Sequence, residues 1–414
     1  MDNRIEHVLN ELKTSLGLKK FVLHTYSLSQ EVSAFGGFDI LLSADWLPPA
    51  VEIPEEDDLL PDGTVSVRYS LRYQQLLLAT TQGERSFAEA LATSEEQFIQ
   101  WTEQQTGLDF EDDFILTNRS ETAIEGAVIH NGIPVQTDGF LELEWDESGR
   151  LLFCTLPLVV TKQFEEVPFS LTLEAIESLV REQLTPIRLP IEDEARFADY
   201  FAIDEVFITQ DRTVLPYFTE EQSAEFSSNV LQWQTSSKYE VNQQTIHPLL
   251  RELSPDEAYS VLAHPENRIT DETVQRCVQS ATAFLSAKLP EESGEWEVYR
   301  ILQQPNSIEV VCRKIDETAG PLRRKLVLML HKDTYELLNF LDSIEMAQLF
   351  EGFTQALVQT ISQEEAFELM VDYITLDPRY VYHQSSGIYK LCGLLDAEEC
   401  VDAVTGELKQ LNDL

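Results

Sequence analysis

Alternating apolar and polar residues mark the beginning of the chain as rich in strands. From Thr64 to Tyr73, apolar and aromatic side chains take every second position, with serines and arginines between them. This is the pattern of a half-buried strand. The preceding Pro61-Asp62-Gly63 is typical of a hairpin turn. After a short amphipathic helix at the start, residues 1–84 are therefore predicted to form a β-rich region.

Further along the chain, the spacing of apolar residues alternates between the spacing typical of a helix and the spacing typical of a strand. The pattern predicts a helix from about Ser86 and a hairpin centred on Gly149. A second helix is predicted from Leu173 to Leu184, followed by a strand pair near 206–209 and 214–218. Such a mixture indicates helices packed on antiparallel sheets, which is the α+β class.

Three matches of similar sequence and order indicate an internal duplication. Ser94-Glu-Glu-Gln-Phe98-Ile99 resembles Ser280-Ala-Thr-Ala-Phe284-Leu285, and Gly149-Arg-Leu aligns with Tyr335-Glu-Leu, both at an offset of 186. Glu174-Ala175-Ile-Glu177-Ser-Leu-Val180 resembles Glu365-Ala366-Phe-Glu368-Leu-Met-Val371 at an offset of 191. We therefore expect duplicated helix-plus-antiparallel-sheet modules. The segments are the β-rich region at 1–84, a first α+β unit at 85–235, a linker with a short helix at 236–267, and a second α+β unit at 268–414.

The turn chemistry of the C-terminal hairpin predicts a structural role for its conspicuous residues. Gly406 can adopt the left-handed conformation that closes a bulged hairpin, and Asp402 can accept hydrogen bonds from amides within the turn. A metal-binding role for Asp402 is the less favoured alternative. In a related turn, Tyr335 stands at the position of this glycine. Because the left-handed conformation is costly for tyrosine, we expect that turn to have changed type.

The charge balance narrows the range of partners. Asp and Glu number 73 against 29 Lys and Arg, which gives a formal net charge of −44. Such a surface repels phosphates, so nucleic acid is not expected as a partner. Neither a signal peptide nor an apolar run long enough to span a membrane is recognised, so we expect no membrane insertion and a cytoplasmic location. The favoured interpretation of the acidity is a set of simply solvated acidic faces. A basic partner and adaptation to high salt are the alternative interpretations.

The chemical motifs of common enzymes are missing from the sequence. It contains no Gly-x-x-x-x-Gly-Lys-Ser/Thr phosphate loop, no Gly-x-Gly-x-x-Gly turn, no Gly-x-Ser-x-Gly elbow and no His-Glu-x-x-His pair. The five cysteines are scattered without a Cys-x-x-Cys pair, and the spacing of Cys392 and Cys400 is outside the usual zinc pattern. No catalytic, cofactor-binding or metal-binding residue is predicted. Tyr380, Tyr382 and Tyr389 form an aromatic patch, which indicates core packing first and a peptide-binding surface second.

The last 50 residues or so resemble a known family. Ser362, Glu364, Glu365 and Ala366 begin a helix, and the strands carry Tyr380-Val-Tyr382, Ile388-Tyr389-Lys390-Leu391 and Asp402-Ala-Val-Thr-Gly-Glu407. This arrangement is similar to the PepSY-like repeats of the YcdB/YcdC group from Bacillus-type bacteria. A fainter echo runs from Leu173 to Phe218, without the Asp-Ala-x-Thr-Gly element. The resemblance implies a non-catalytic module that binds protein or regulates a peptidase.

Three hypotheses for function remain open on the sequence. The leading one is a non-enzymatic α+β protein that binds or regulates another protein, with a basic protein or a peptidase as its partner. The second is a hydrolase of unrecognised type that uses carboxylate or cysteine chemistry. The third is an acidic structural or salt-adapted protein.

Overall fold

The computed structural model describes residues 1–49, 51, 60–83, 86–91, 94–217, 224–234, 251–264, 269–315, 324–344 and 348–414. Within these ranges the chain combines helices with antiparallel sheets, and its N-terminal part is dominated by strands. The α+β class and the β-rich N-terminal region are therefore confirmed.

Most of the α-helices begin at a polar side chain that accepts a hydrogen bond from a backbone amide of the first turn. At one of them, Ser254 and Glu257 form a capping box. The helices are α1 (Asn3–Ser15), α2 (Glu95–Thr106), α3 (Glu177–Gln183), α4 (Pro255–Ala263), α5 (Asp271–Lys288) and α6 (Gln363–Met370).

The strands pair in antiparallel ladders. In the first half of the chain they are β1 (Val22–Val32), β2 (Phe38–Leu47), β3 (Val65–Ser70), β4 (Gln75–Thr81), β5 (Phe114–Arg119), β6 (Ala123–His130), β7 (Ile133–Pro134), β8 (Leu141–Trp145), β9 (Leu151–Thr155), β10 (Leu184–Ile191), β11 (Arg196–Ile203) and β12 (Val206–Thr209). The others are β13 (Val214–Pro216), β14 (Glu225–Leu231), β15 (Arg251–Glu252), β16 (Trp296–Gln303), β17 (Ser307–Lys314), β18 (Lys325–His331), β19 (Leu337–Asp342), β20 (Thr375–His383), β21 (Ile388–Asp396), β22 (Glu399–Asp402) and β23 (Leu408–Gln410).

Two predicted boundaries are wrong. The strand expected over Thr64–Tyr73 ends at Ser70, because residues 71–74 turn the chain into β4. The helix expected from Ser86 begins only at Glu95, where Ser94 supplies the cap. Much of the linker predicted at 236–267 lies outside the described residues.

The chain divides into two compact units, each built from several stretches. The first consists of Met1–Glu165, Leu249–Asn267 and Arg379–Lys390, and the second of Glu166–Pro248, Arg268–Pro378 and Leu391–Leu414. The four segments predicted from the sequence are defined by the order of elements along the chain, whereas these two units are defined by compactness. The predicted segments therefore stay predictions.

Two stretches of the chain share a similar order of elements. Helix α2 is followed by the antiparallel neighbours β5, β6, β8 and β9, and α5 is followed by β16, β17, β18 and β19 in the same kind of meander. Next, α3 is followed by β10 to β13, and α6 by β20 to β23.

The strands that follow α3 and those that follow α6 are exchanged between two sheets. One four-stranded sheet has the order β10-β11-β22-β23, and another has the order β13-β12-β21-β20. Each sheet therefore takes two strands that follow α3 and two that follow α6. Tyr200 pairs with Asp402 in the first sheet, and Val206 pairs with Leu395 in the second.

Three hairpin turns share a left-handed residue near their end. Gly149, Tyr335 and Gly406 have φ of 73°, 61° and 72°. The Gly406 amide donates to the Asp402 carbonyl at 2.9 Å, and the Tyr335 amide donates to the His331 carbonyl at 2.8 Å. The expectation that the Tyr335 turn has changed type is wrong, because tyrosine adopts the glycine conformation there.

The first residue of each turn also accepts hydrogen bonds through its side chain. Asp402 Oδ1 accepts from the amides of Val404 and Thr405, each at 2.8 Å. His331 Nδ1 accepts from the amides two and three residues further along, at 3.2 and 3.3 Å. The structural roles predicted for Asp402 and Gly406 are confirmed.

The core of the second unit joins the two exchanged groups. Val180 of α3 and Ala366, Phe367 and Met370 of α6 are buried in one apolar cluster. The same cluster takes buried residues from β10, β11, β12, β21 and β22. Both helices therefore bury their apolar faces in the same cluster, which brings them close together.

Candidate functional site

Helices α3 and α6 border a groove of about 390 Å³ in the second unit. Its apolar lining residues are Leu173, Val180, Phe367, Val371 and Ile374. The charged residues that line it are Glu174, Glu177, Arg181, Glu368 and Asp372. The groove therefore combines an apolar surface with four carboxylates and one guanidinium.

Capping interactions fix the two helices beside each other. Ser362 and Glu365 form a capping box at the start of α6, with the Ser362 amide donating to Glu365 Oε2 at 2.9 Å. Gln363 Nε2 then donates to the carbonyl oxygens of Arg181 and Leu184, at 2.9 and 2.8 Å. Because carbonyl groups at the end of a helix lack partners within the helix, this side chain joins the start of α6 to the end of α3.

The guanidinium of Arg181 lies within the groove and contacts both helices. Its Nε donates to Glu177 Oε1 at 2.8 Å, and its Nη1 donates to Glu364 Oε2 at 2.7 Å. Nη2 approaches Glu368 Oε1 at 3.4 Å. Its central carbon lies 3.8 Å from the centre of the Phe367 ring. One cation is thus shared by three carboxylates and one aromatic face.

Hydrogen bonds shift the pKa of two charged residues that line the groove. The hydrogen bond to Glu177 is the main cause that raises the pKa of Arg181 above its ordinary value. The pKa of Glu174 is lowered by a hydrogen bond from its own backbone amide and by another from Thr172. At neutral pH the carboxylates exceed the cation in number, so the groove attracts positive charge.

The groove forms where two of the aligned sequence segments meet. At the offset of 191, Glu177 corresponds to Glu368, and Val180 corresponds to Val371. Arg181 corresponds to Asp372, so the charge changes sign at this pair. The similarity of these segments is visible in the sequence, whereas the groove between them is not. The available signal was the i, i+4 pair of Glu177 and Arg181, since residues at this spacing meet on one helix face.

The tyrosines of the predicted aromatic patch are gathered in the first unit. Tyr380 is 2% exposed and Tyr389 is 0% exposed, while Tyr382 is half-buried. The centre of the Phe164 ring lies 5.1 Å from the centres of both Tyr380 and Tyr389. Tyr382 contacts Tyr389 edge to face at 5.6 Å. The rings pack against one another, so two of the three present little surface, and peptide binding by this patch stays a prediction.

The described residues do not assemble a reactive thiol or a group of metal ligands. All five cysteines are free and buried. Burial raises the pKa of both Cys154 and Cys277 to about 12, which favours the unreactive thiol. Within the described ranges, no three His, Cys, Asp or Glu side chains are grouped as a metal site would require.

Comparisons with protein-family models, with curated proteins and with solved structures gave no match. The resemblance to PepSY-like repeats therefore stays a prediction. Among the helices in the described part of the chain, none is both long enough and apolar enough to cross a membrane.

Proposed function

We propose that this protein is a non-enzymatic binding or regulatory protein, and that its α3–α6 groove takes a basic, partly apolar segment of a partner protein. The observation that carries the proposal is the combination of an apolar lining with carboxylates around a single guanidinium. Apolar contact supplies affinity, and charge complementarity selects the partner and speeds association.

The charge of the whole chain supports the same kind of partner. With a formal net charge of −44, the protein attracts cations over distances of about a Debye length, roughly 8 Å at physiological salt. A segment rich in Lys and Arg is steered towards it, while an acidic segment is repelled. The groove adds the apolar contacts that a general electrostatic attraction lacks.

We also propose that the chain arose by duplication of a PepSY-like module. The recurring order of helix, meander, helix and strand pairs supports this, as do the corresponding turns at Tyr335 and Gly149. In this account the groove lies between two equivalent helices, which would make it a product of the duplication. The resemblance to a non-catalytic family agrees with a binding function.

The other hypotheses receive less support from the structure. A cysteine hydrolase requires an accessible thiolate, whereas the cysteines are buried. Among the residues that the structure describes, no particular carboxylate pair favours a carboxylate mechanism. Simple salt adaptation does not account for an apolar groove.

A titration tests the proposal with a defined probe. The arginine peptide is fluorescein-labelled Leu-Arg-Arg-Leu-Leu-Arg-Arg-Leu-amide, and its citrulline counterpart is neutral and similar in shape. We expect the full chain to bind the arginine peptide saturably by fluorescence anisotropy, and at least about tenfold more tightly than the citrulline peptide. Equal affinity for the two peptides, or no binding of either, would overturn the proposal.

Charge-removing variants locate the binding. The pair Glu174→Gln and Asp372→Asn removes two carboxylates that line the groove without touching the ion pairs of Arg181. We expect about three- to tenfold weaker binding of the arginine peptide. The matched control is Glu121→Gln with Asp112→Asn, which removes the same charge from exposed positions in the first unit. Equal weakening by both pairs would contradict a specific site.

A further inference from the structure

We propose that the groove recognises the guanidinium group of a partner arginine, and that Arg181 occupies this position until the partner's arginine displaces it. This rests on the proposed function and specifies both the chemistry of the partner and the competition at the site. Arg181 is in this account an internal ligand that sets the affinity and the selectivity of the groove.

The surroundings of Arg181 fit the shape of a guanidinium. The ring of Phe367 lies under it at 3.8 Å, and carboxylates of Glu177, Glu364 and Glu368 meet its edge. A planar cation with donors along its edge satisfies an aromatic face and several carboxylates together. The compact ammonium group of lysine lacks that planar fork. The site should therefore prefer arginine to lysine.

The site also holds more negative charge than Arg181 neutralises. Three carboxylates lie within 3.4 Å of this one guanidinium, and Glu174 and Asp372 line the same groove. Arginine side chains lose considerable rotamer freedom when they are held in one position. A partner arginine, anchored by apolar neighbours on its own chain, can therefore take over these contacts and release Arg181 to solvent.

A comparison with Arg276 shows that Arg181 has more partners than an arginine in an ordinary surface ion pair. Arg276 also lies one helical turn after a glutamate, Glu272, with an ion pair of 3.0 Å. Its guanidinium lies 5.2 Å from the centre of the Tyr335 ring, and its side chain is 49% exposed against 27% for Arg181. Arg276 has one carboxylate partner among its described ion pairs, whereas Arg181 has three. It is therefore a matched control for loss of one arginine in the same unit.

The first test measures peptide affinity in variants of the full chain. We expect Arg181→Ala to bind the arginine peptide about tenfold more tightly than the parent protein does, since it no longer competes with the ligand. Binding of the corresponding lysine peptide should gain about twofold or less. Arg276→Ala, which changes the net charge equally, should alter both affinities by less than about twofold. Equal gains in the two variants, equal gains for both peptides, or weaker binding by Arg181→Ala would overturn the inference.

Arg181→Lys separates competition from net charge and guards against misfolding of the alanine variant. It keeps the positive charge but loses the planar fork, so it should compete less well with an incoming arginine. We expect the arginine peptide to bind about threefold more tightly to this variant than to the parent protein. Unchanged or weaker binding would count against displacement.

A second readout does not depend on peptide binding. N-acetylarginine amide at millimolar concentration should raise the melting temperature of Arg181→Ala, because it fills the vacated position over Phe367. N-acetyllysine amide should raise it less, and the parent protein and Arg276→Ala should not respond. If no peptide binds but this rescue occurs, the proposed partner is wrong and the guanidinium site stands. If peptides bind and the rescue fails, the proposed function stands and the arginine site is wrong.

Discussion

Tyr335 and Gly406 take the same left-handed position in two separate turns, with φ of 61° and 72°. Each donates its backbone amide to the carbonyl of the residue four positions earlier. A left-handed conformation costs a non-glycine residue roughly 1–2 kcal/mol. At Tyr335 the cost is offset by contacts, since its ring packs on a buried apolar cluster and its carbonyl accepts from the Ser280 hydroxyl at 2.7 Å.

We expect Gly406 to be required because its backbone is left-handed, and not because a larger side chain would lack space. A Cβ atom there would lie 3.2 Å from the end of the flexible Ile361 side chain. We expect Gly406→Ala to lower the free energy of unfolding by about 1–2 kcal/mol. Gly406→Asn should lose less, because asparagine tolerates this conformation. Urea unfolding of both variants checks the prediction, and an alanine variant as stable as the parent contradicts it.

Asp402 should stabilise its turn only while it is ionised. Burial raises the pKa of this carboxyl, but hydrogen bonds from the Thr405 and Val404 amides outweigh it and hold the pKa below its ordinary value. A lowered pKa in the folded state stabilises the protein above the unfolded pKa, and the effect is lost as pH falls through the folded value. We expect Asp402→Asn to cost about 1 kcal/mol at pH 6 and progressively less below about pH 4.

Urea unfolding from pH 6 to pH 3 provides this measurement. The exposed Asp112→Asn serves as the control. A stability difference between Asp402→Asn and the parent that stays constant over the whole range would show that the charge of Asp402 is not what holds the turn.

Two neighbouring residues of α6 should differ sharply in their contribution to stability. Met370 is 0% exposed in the cluster shared by α3, α6 and the two exchanged sheets, whereas Leu369 is 41% exposed. We expect Met370→Ala to cost about 2–5 kcal/mol and Leu369→Ala less than about 1 kcal/mol. Denaturant midpoints of the two variants compare them directly, and similar losses would place the core elsewhere.

The cysteines should be unreactive in the folded protein. Burial raises the pKa of Cys400 to about 11, and all five thiols are buried. We expect Ellman's reagent to modify them slowly in native buffer and all of them rapidly after unfolding in guanidinium chloride. One thiol that reacts rapidly in the native protein would revive the cysteine-hydrolase hypothesis.

Local sequence signals predicted the elements better than their arrangement. The box of Ser362 and Glu365 was predictable because it depends on residues three positions apart. The turn of Asp402 and Gly406 was predictable for the same reason. The end of β3 at Ser70 was not, because Leu71 and Tyr73 continue the alternating pattern while the backbone already turns.

The groove depends on contacts between residues far apart in the chain. Arg181 meets Glu364 and Glu368 only because the strands following α3 and α6 share two sheets. Sequence alignment of the two segments showed that they are similar, but strand exchange is a tertiary property that hydrophobic periods do not encode. Similarly, the burial of Tyr389 follows from the aromatic rings packed around it.

Hydrogen–deuterium exchange of the full chain, with and without the arginine peptide, tests the central claim most directly because it locates the bound segment. We predict slower exchange at 173–184 and 363–374, the two stretches that border the groove, and no such change with the citrulline peptide. Protection confined to other parts of the chain, or spread evenly over its acidic surface, would contradict the account.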